Sequence, residues 1–190
     1  GGVCAFFDYD NDGDQDLLLV NSTHWPWDDG ATSGTCKLFA NDGTGGFSDV
    51  TTDAGLDISI YGMGAAIGDY GNDGDADIYL SAVGTNRLLN NDGQGRFADV
   101  TIQAGVSGGD DAWSTSCGFI DYDNDGDLDL FVCNYVKWSR DIDLAQAFRL
   151  TGIGRAYGPP FAFEGTFPYL YRNEGDGRFT EQSESAGLRV

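Results

Sequence analysis

The chain has 190 residues, of which 31 are acidic and 10 basic, for a formal charge of −21. That balance excludes a nucleic-acid binder, whose phosphate contacts need a basic face, and a protein held to an anionic membrane surface by charge. Apolar residues at 41% are enough for a real core, and no run approaches the roughly 18 apolar residues of a membrane-spanning helix.

In chain order, Gly1 opens in the lead-in to a strand that ends at the first acidic loop, Asp8-Tyr9-Asp10-Asn11-Asp12-Gly13-Asp14-Gln15-Asp16. Apolar Leu17 to Val20 lead out of it. An insertion follows over 21–35, with His24-Trp25-Pro26-Trp27-Asp28-Asp29 inside it. Asn21-Ser22-Thr23 within it fits a glycosylation acceptor. A third strand then reaches the turn Asn41-Asp42-Gly43, a strong hairpin signal. A fourth starts at Phe47, and the unit ends Asp49-Val50-Thr51 to Ala54-Gly55-Leu56.

The same order recurs twice. The second loop is Asp69-Tyr70-Gly71-Asn72-Asp73-Gly74-Asp75-Ala76-Asp77, followed by the Asn91-Asp92-Gly93 turn, Phe97 and the ending Asp99-Val100-Thr101 to Val106. The third is Asp121-Tyr122-Asp123-Asn124-Asp125-Gly126-Asp127-Leu128-Asp129, followed by Asn173-Glu174-Gly175, Phe179 and an ending at Leu188. A fixed period of this length signals a repeat architecture. The expected fold is all-β, with blades of four antiparallel strands over 1–56, 57–106 and 107–190, together one partial propeller domain. The third repeat carries a second insertion over 134–167. Its stretch 142–150 is the only one with helical character.

Each loop places carboxylates at positions 1, 5 and 9 and Gly at 6, with a further carboxylate at 3 in loops one and three. Ca2+ takes roughly 6–8 oxygens at about 2.3–2.6 Å, and Gly lets such a loop turn sharply around it. Fourteen aspartates in 27 residues repel strongly unless a cation shares them. The expected cofactor is therefore Ca2+, up to three ions. EF-hand geometry is excluded, because position 12 is Leu19, Leu80 or Val132 where a bidentate Glu belongs, and the flanks have β character.

Asp-x-Asp-x-Asp-Gly-x-x-Asp between two strands, with an Asn-x-Gly-x-Gly-x-Phe turn after it, resembles the FG-GAP/VCBS repeat of integrin α-like propellers. The Asp-Val-Thr to Ala-Gly-Leu ending looks most like the cartilage acidic protein (ASPIC/UnbV) type. By position, the resemblance implies side-chain ligands at Asp8, Asp10, Asp12 and Asp16, and at Asp121, Asp123, Asp125 and Asp129. Asp14 and Asp127 at position 7 would offer backbone carbonyls. Loop two has Gly71 in place of a ligand, leaving Asp69, Asp73, Asp75 and Asp77, and is expected to be the weakest site. Such propellers close with about seven blades, so three imply further blades or another chain covering the open faces.

The function expected is a non-catalytic, calcium-binding module outside the cytoplasm, cell-surface, extracellular or periplasmic, serving protein recognition, adhesion or assembly. Alternatives are an ancillary domain of a secreted enzyme or glycan-binding protein, or an accessory subunit of a large complex. His24 has no nucleophile motif beside it and reads as a loop residue. Trp138, Arg155 and Tyr157 in the long insertion are the expected partner contacts, since Trp, Tyr and Arg are typical interface anchors. Cys117 and Cys133 lie symmetrically about loop three, four residues outside Asp121 and Asp129, and are expected to form a cross-strand disulfide, with Cys4 and Cys36 as the remaining pair.

Overall fold

A computed structural model describes residues 2–22, 36–156 and 158–189. Most of the first insertion, with His24, and Tyr157 of the second lie outside the described residues. Each repeat folds as one four-stranded antiparallel sheet. In blade 1 the strands are β1 (Val3–Phe7), β2 (Asp16–Val20), β3 (Lys37–Asn41) and β4 (Phe47–Asp49). Blade 2 has β5 (Gly62–Gly68), β6 (Asp77–Ala82), β7 (Arg87–Asn91) and β8 (Phe97–Asp99), closed by one helical turn, α1 (Thr101–Ala104). Blade 3 starts with β9 (Ala112–Ile120) and β10 (Asp129–Lys137). Its insertion folds as α2 (Arg140–Gln146), the hairpin β11 (Arg149–Leu150) and β12 (Gly154–Arg155), and a short 3-10 turn at Pro160–Ala162. β13 (Tyr169–Asn173) and β14 (Phe179–Glu181) complete the sheet. Strand order is sequential in all three blades. These are blades of the β-propeller kind, and no closed barrel forms among the described residues.

A strand of alternating burial has one covered face, and in blade 1 the cover is the next blade. Side chains of β2 alternate between a face toward blade 2, where Leu18 and Val20 are fully buried, and an opposite face where Leu17 and Leu19 are half-exposed. β6 is buried along its whole length, because blade 1 lies on one side and blade 3 on the other. The core is therefore two apolar layers, one per junction. Phe7, Leu18, Ile78, Leu80 and Phe97 fill the first, and Tyr79, Leu130, Val132, Tyr171 and Phe179 the second. Burying each such side chain contributes about 1.5–3 kcal/mol.

The repeat ending acts as a latch. Thr51 Oγ1, Thr101 Oγ1 and Ser183 Oγ each accept the backbone N–H of the second residue of the third strand in their own blade, at Leu38, Leu88 and Leu170, over 2.8–3.0 Å. Helical character falls earlier than the sequence suggests. Ser139 caps α2 by accepting from the Ile142 N–H, and the helix stops at Ala147, which has φ 48°. Residues 149–150 are then taken by the small hairpin.

The cysteine expectation is corrected. Loop three closes with Ile120 opposite Asp129, so Asp129 already belongs to the strand and the register is one residue away from the symmetric one. Cys117 then faces Val132. Cys133 projects to the other side of the sheet, at a bulge that shifts the register before Asn134. All four cysteines are free, with Cys4 exposed and Cys36 buried, so neither the Cys117–Cys133 nor the Cys4–Cys36 bridge forms. Burial pushes the Cys117 thiol up to about 11 and raises that of Cys36. Since the thiolate is the reactive form, both resist alkylation in the native protein. We expect four titratable thiols in unreduced, denatured protein, and in native protein a fast reaction at Cys4 with Cys36 protected. Recovery of a Cys117–Cys133 peptide from unreduced protein would overturn this reading.

Candidate metal centre in the acidic loops

Two features of the local chain shape each loop. The Asp at position 1 accepts backbone N–H bonds from positions 5 and 6: Asp8 from Asp12 and Gly13 at 3.1 and 2.9 Å, Asp69 from Asp73 and Gly74, and Asp121 from Asp125 and Gly126. Gly13, Gly74 and Gly126 have φ between 93° and 96°, a conformation that a Cβ would strain. The Asp at position 9 is fully buried in every loop and ties it to the third strand. Asp16 accepts from the Tyr9 and Asn41 N–H groups at 3.0 and 2.8 Å, and Asp129 from Tyr122 and Asn173 at the same distances. Asp77 accepts from Tyr70, from Asn91 and from the Asn90 side chain.

These constraints aim three carboxylates at one point in loops one and three. Oxygens of Asp8, Asp10 and Asp16 lie within 4.8 Å of one another, as do those of Asp121, Asp123 and Asp129. Oxygens that share a calcium ion at about 2.3–2.6 Å stand at most about 5 Å apart, so each trio can touch one ion. Asp10 Oδ1 is buried without a hydrogen-bond partner, which suits an oxygen that ligates a cation. Burial raises the carboxyls of Asp16 and Asp129, and lifts that of Asp77 to about 6. Among the described residues no such convergence occurs in loop two, where Gly71 replaces the second acid.

Not every acid of the motif belongs to a converging trio. At position 5, Asp12, Asp73 and Asp125 each accept the N–H of position 7, which holds the turn, and neither Asp12 nor Asp125 belongs to its loop's trio. At position 7, Asp14, Asp75 and Asp127 lie against Gly43, Gly93 and Gly175 of the hairpin turn in their own blade. A Cβ there would meet the carboxylate at 2.5–3.0 Å. Asp75 and Asp127 also reach across the junction: Asn11 donates to Asp75 and Asn72 to Asp127, each at 2.7 Å. A second bridge comes from the third strand of the following blade, with Asn91 donating to the Tyr9 carbonyl at 2.8 Å and Asn173 to the Tyr70 carbonyl at 2.9 Å. Sequence reading passed over these asparagines. Their signal was present, since Asn recurs at loop position 4 with φ of 53–62°, a region that Asn tolerates better than most residues.

The expected partner residues sit apart from the loops. The Trp138 ring stands edge-on to Trp113 at 5.8 Å and ties the insertion to β9, and Arg155 is ion-paired with Asp143 inside the insertion. The large apolar side chains that the insertion exposes are above all Ile153 and Phe161.

No curated protein matches the chain. The model of the FG-GAP-like repeat matches residues 8–80 and again 79–132, more than half of the sequence and including all three acidic loops. With three four-stranded sheets in sequential order and an acidic hairpin loop in each, this chain belongs to the FG-GAP-like repeat family.

Proposed function

We propose that this protein is a calcium-stabilised propeller module that works outside the cytoplasm in recognition, adhesion or assembly, without catalysis of its own. The convergence of Asp8, Asp10 and Asp16, repeated by Asp121, Asp123 and Asp129, carries the reading. Hard carboxylate oxygens on a flexible loop suit Ca2+ better than Zn2+, whose sites favour His and Cys. Modest sites of this kind fill at extracellular calcium levels. No helix among the described residues is long and apolar enough to cross a membrane.

Calorimetry tests the calcium reading. Asp10→Ala and Asp123→Ala should each weaken one binding event at least tenfold, about 1.4 kcal/mol. Asp73→Ala should change the heats least, because loop two lacks a converged trio. Absence of calcium heat in the parent protein, or a dominant effect of Asp73→Ala, would reject it.

The recognition role rests on the insertion, a long excursion from a rigid scaffold that presents Leu150, Ile153 and Phe161 to solvent. Replacing Ile153 and Phe161 with Ser should leave stability within about 0.5 kcal/mol, as expected for exposed positions. The same change should weaken association with native partners. A double variant that retains every partner of the parent protein would reduce the insertion to a cap.

A further inference from the structure

The third strand of every blade ends on an asparagine, and in blades 2 and 3 that one residue is shared by two acidic loops. Its backbone N–H serves the loop of its own blade: Asn91 donates to Asp77 and Asn173 to Asp129, each at 2.8 Å. Its side-chain amide serves the loop before. Asn91 donates to the Tyr9 carbonyl at 2.8 Å and Asn173 to the Tyr70 carbonyl at 2.9 Å. The tyrosine peptides complete the connection, since the Tyr9 N–H donates to Asp16 at 3.0 Å and the Tyr70 N–H to Asp77 at 3.3 Å.

An unbroken path of hydrogen bonds therefore leaves Asp16 of the first trio and passes through Tyr9, Asn91, Asp77, Tyr70 and Asn173. It ends at Asp129 of the second trio. Every residue on it is at most 9% exposed, so water is largely excluded and a low dielectric strengthens each bond. The bonds from Asn11 to Asp75 and from Asn72 to Asp127 run beside it on the exposed side of the loops, where water competes.

The middle of the path is fixed by other means. Loop two has Gly71 in place of the second acid, and no trio converges there among the described residues. Its Asp77 instead accepts a third hydrogen bond, from Asn90 Nδ2 at 2.9 Å. The residues matching Asn90 in blades 1 and 3 are Ala40 and Arg172. A donor amide beside Asp77 leaves that carboxylate satisfied without a cation.

We propose that loop two works without an ion, as a relay that couples calcium binding at loop one to calcium binding at loop three, an inference that rests on the calcium reading above. An ion at loop one orders Asp16 and, through Tyr9 and Asn91, the peptide groups that hold loop two. Loop three then takes its ion with part of the ordering already met. The coupling is reciprocal, as it must be between two binding equilibria.

Calcium titration calorimetry on the intact chain tests this with a thermodynamic cycle. The parent protein should bind two ions. Asp10→Ala isolates the loop three site and Asp123→Ala the loop one site. The product of the two binding constants of the parent should exceed the product of the two isolated constants by about fivefold or more, the lower end of ordinary coupling between sites. Asn91→Ala cuts the buried path and leaves all the carboxylates of both trios in place, so in that background the ratio should fall to about one. Asn11→Ala cuts only an exposed bond and should keep the parent ratio. Circular dichroism at saturating calcium checks that each variant is folded. A parent ratio of one refutes the coupling whether or not the Asn91 variant folds. Three ions of similar affinity per chain, or a ratio that survives Asn91→Ala, would overturn the relay and leave calcium binding intact. Absence of any calcium heat would overturn the calcium reading, and the relay with it.

Discussion

Excess chelator should lower the melting temperature of this protein by roughly 10–20 °C. A ligand that binds only the native state contributes RT ln(1 + [L]/Kd), about 2.7 kcal/mol per site at a hundredfold excess. Two filled sites, at loops one and three, would add about 5 kcal/mol. For 150–250 residues, each 1 kcal/mol moves the midpoint by about 2–4 °C. Removing the cation also restores repulsion within each trio, where three carboxylates stand within 4.8 Å. Differential scanning calorimetry with and without calcium is the measurement. An unchanged midpoint in chelator would show that the loops hold their shape by hydrogen bonds alone.

The second large effect is expected at Asn173. Its side chain donates to the Tyr70 carbonyl at 2.9 Å and to the Leu128 carbonyl at 3.2 Å, and accepts from the Gly175 N–H at 3.0 Å, all at a residue 2% exposed. Asn173→Ala strands these backbone groups between blades 2 and 3. Each buried unsatisfied group costs about 1–3 kcal/mol, so a loss of about 3–4 kcal/mol is expected in urea unfolding. Asn41→Ala is the built-in control. Asn41 occupies the same place in blade 1, half-buried, with contacts only inside its own blade, and should cost about 1 kcal/mol. Equal losses at the two positions would mean that the bridge to Tyr70 carries no weight.

Much of this architecture was legible from spacing. The alternation of apolar residues about each loop, the Asn-Asp-Gly turns and the recurring Phe defined four strands per repeat, because local turn chemistry and period-2 burial are encoded within a few residues. The same pattern named Asp8, Asp10 and Asp16, whose oxygens converge, together with Asp12, which stands outside that trio. What failed was of another kind. The cysteine pairing rested on where a nine-residue loop closes, and a register displaced by one residue moves a side chain to the opposite face. The asparagine bridges join residues 64, 55, 82 and 103 positions apart, and no local rule reports which blade lies alongside. Trp138 and Arg155 also meet Trp113 and Asp143 within the chain, contacts that residue type alone does not report.

The uniformity of the junctions bears on how such a chain could lengthen or shorten over evolutionary time. Every blade already owns an asparagine and a tyrosine carbonyl for the neighbour after it, and an asparagine, an aspartate and a phenylalanine for the neighbour before it. A duplicated unit therefore arrives with both of its contact surfaces complementary to whatever flanks it, and a deleted unit leaves behind two ends that still match. Stability in such an array is close to a sum of unit and nearest-neighbour contributions. The number of units is then free to drift until the accumulated rotation from one blade to the next sets a limit.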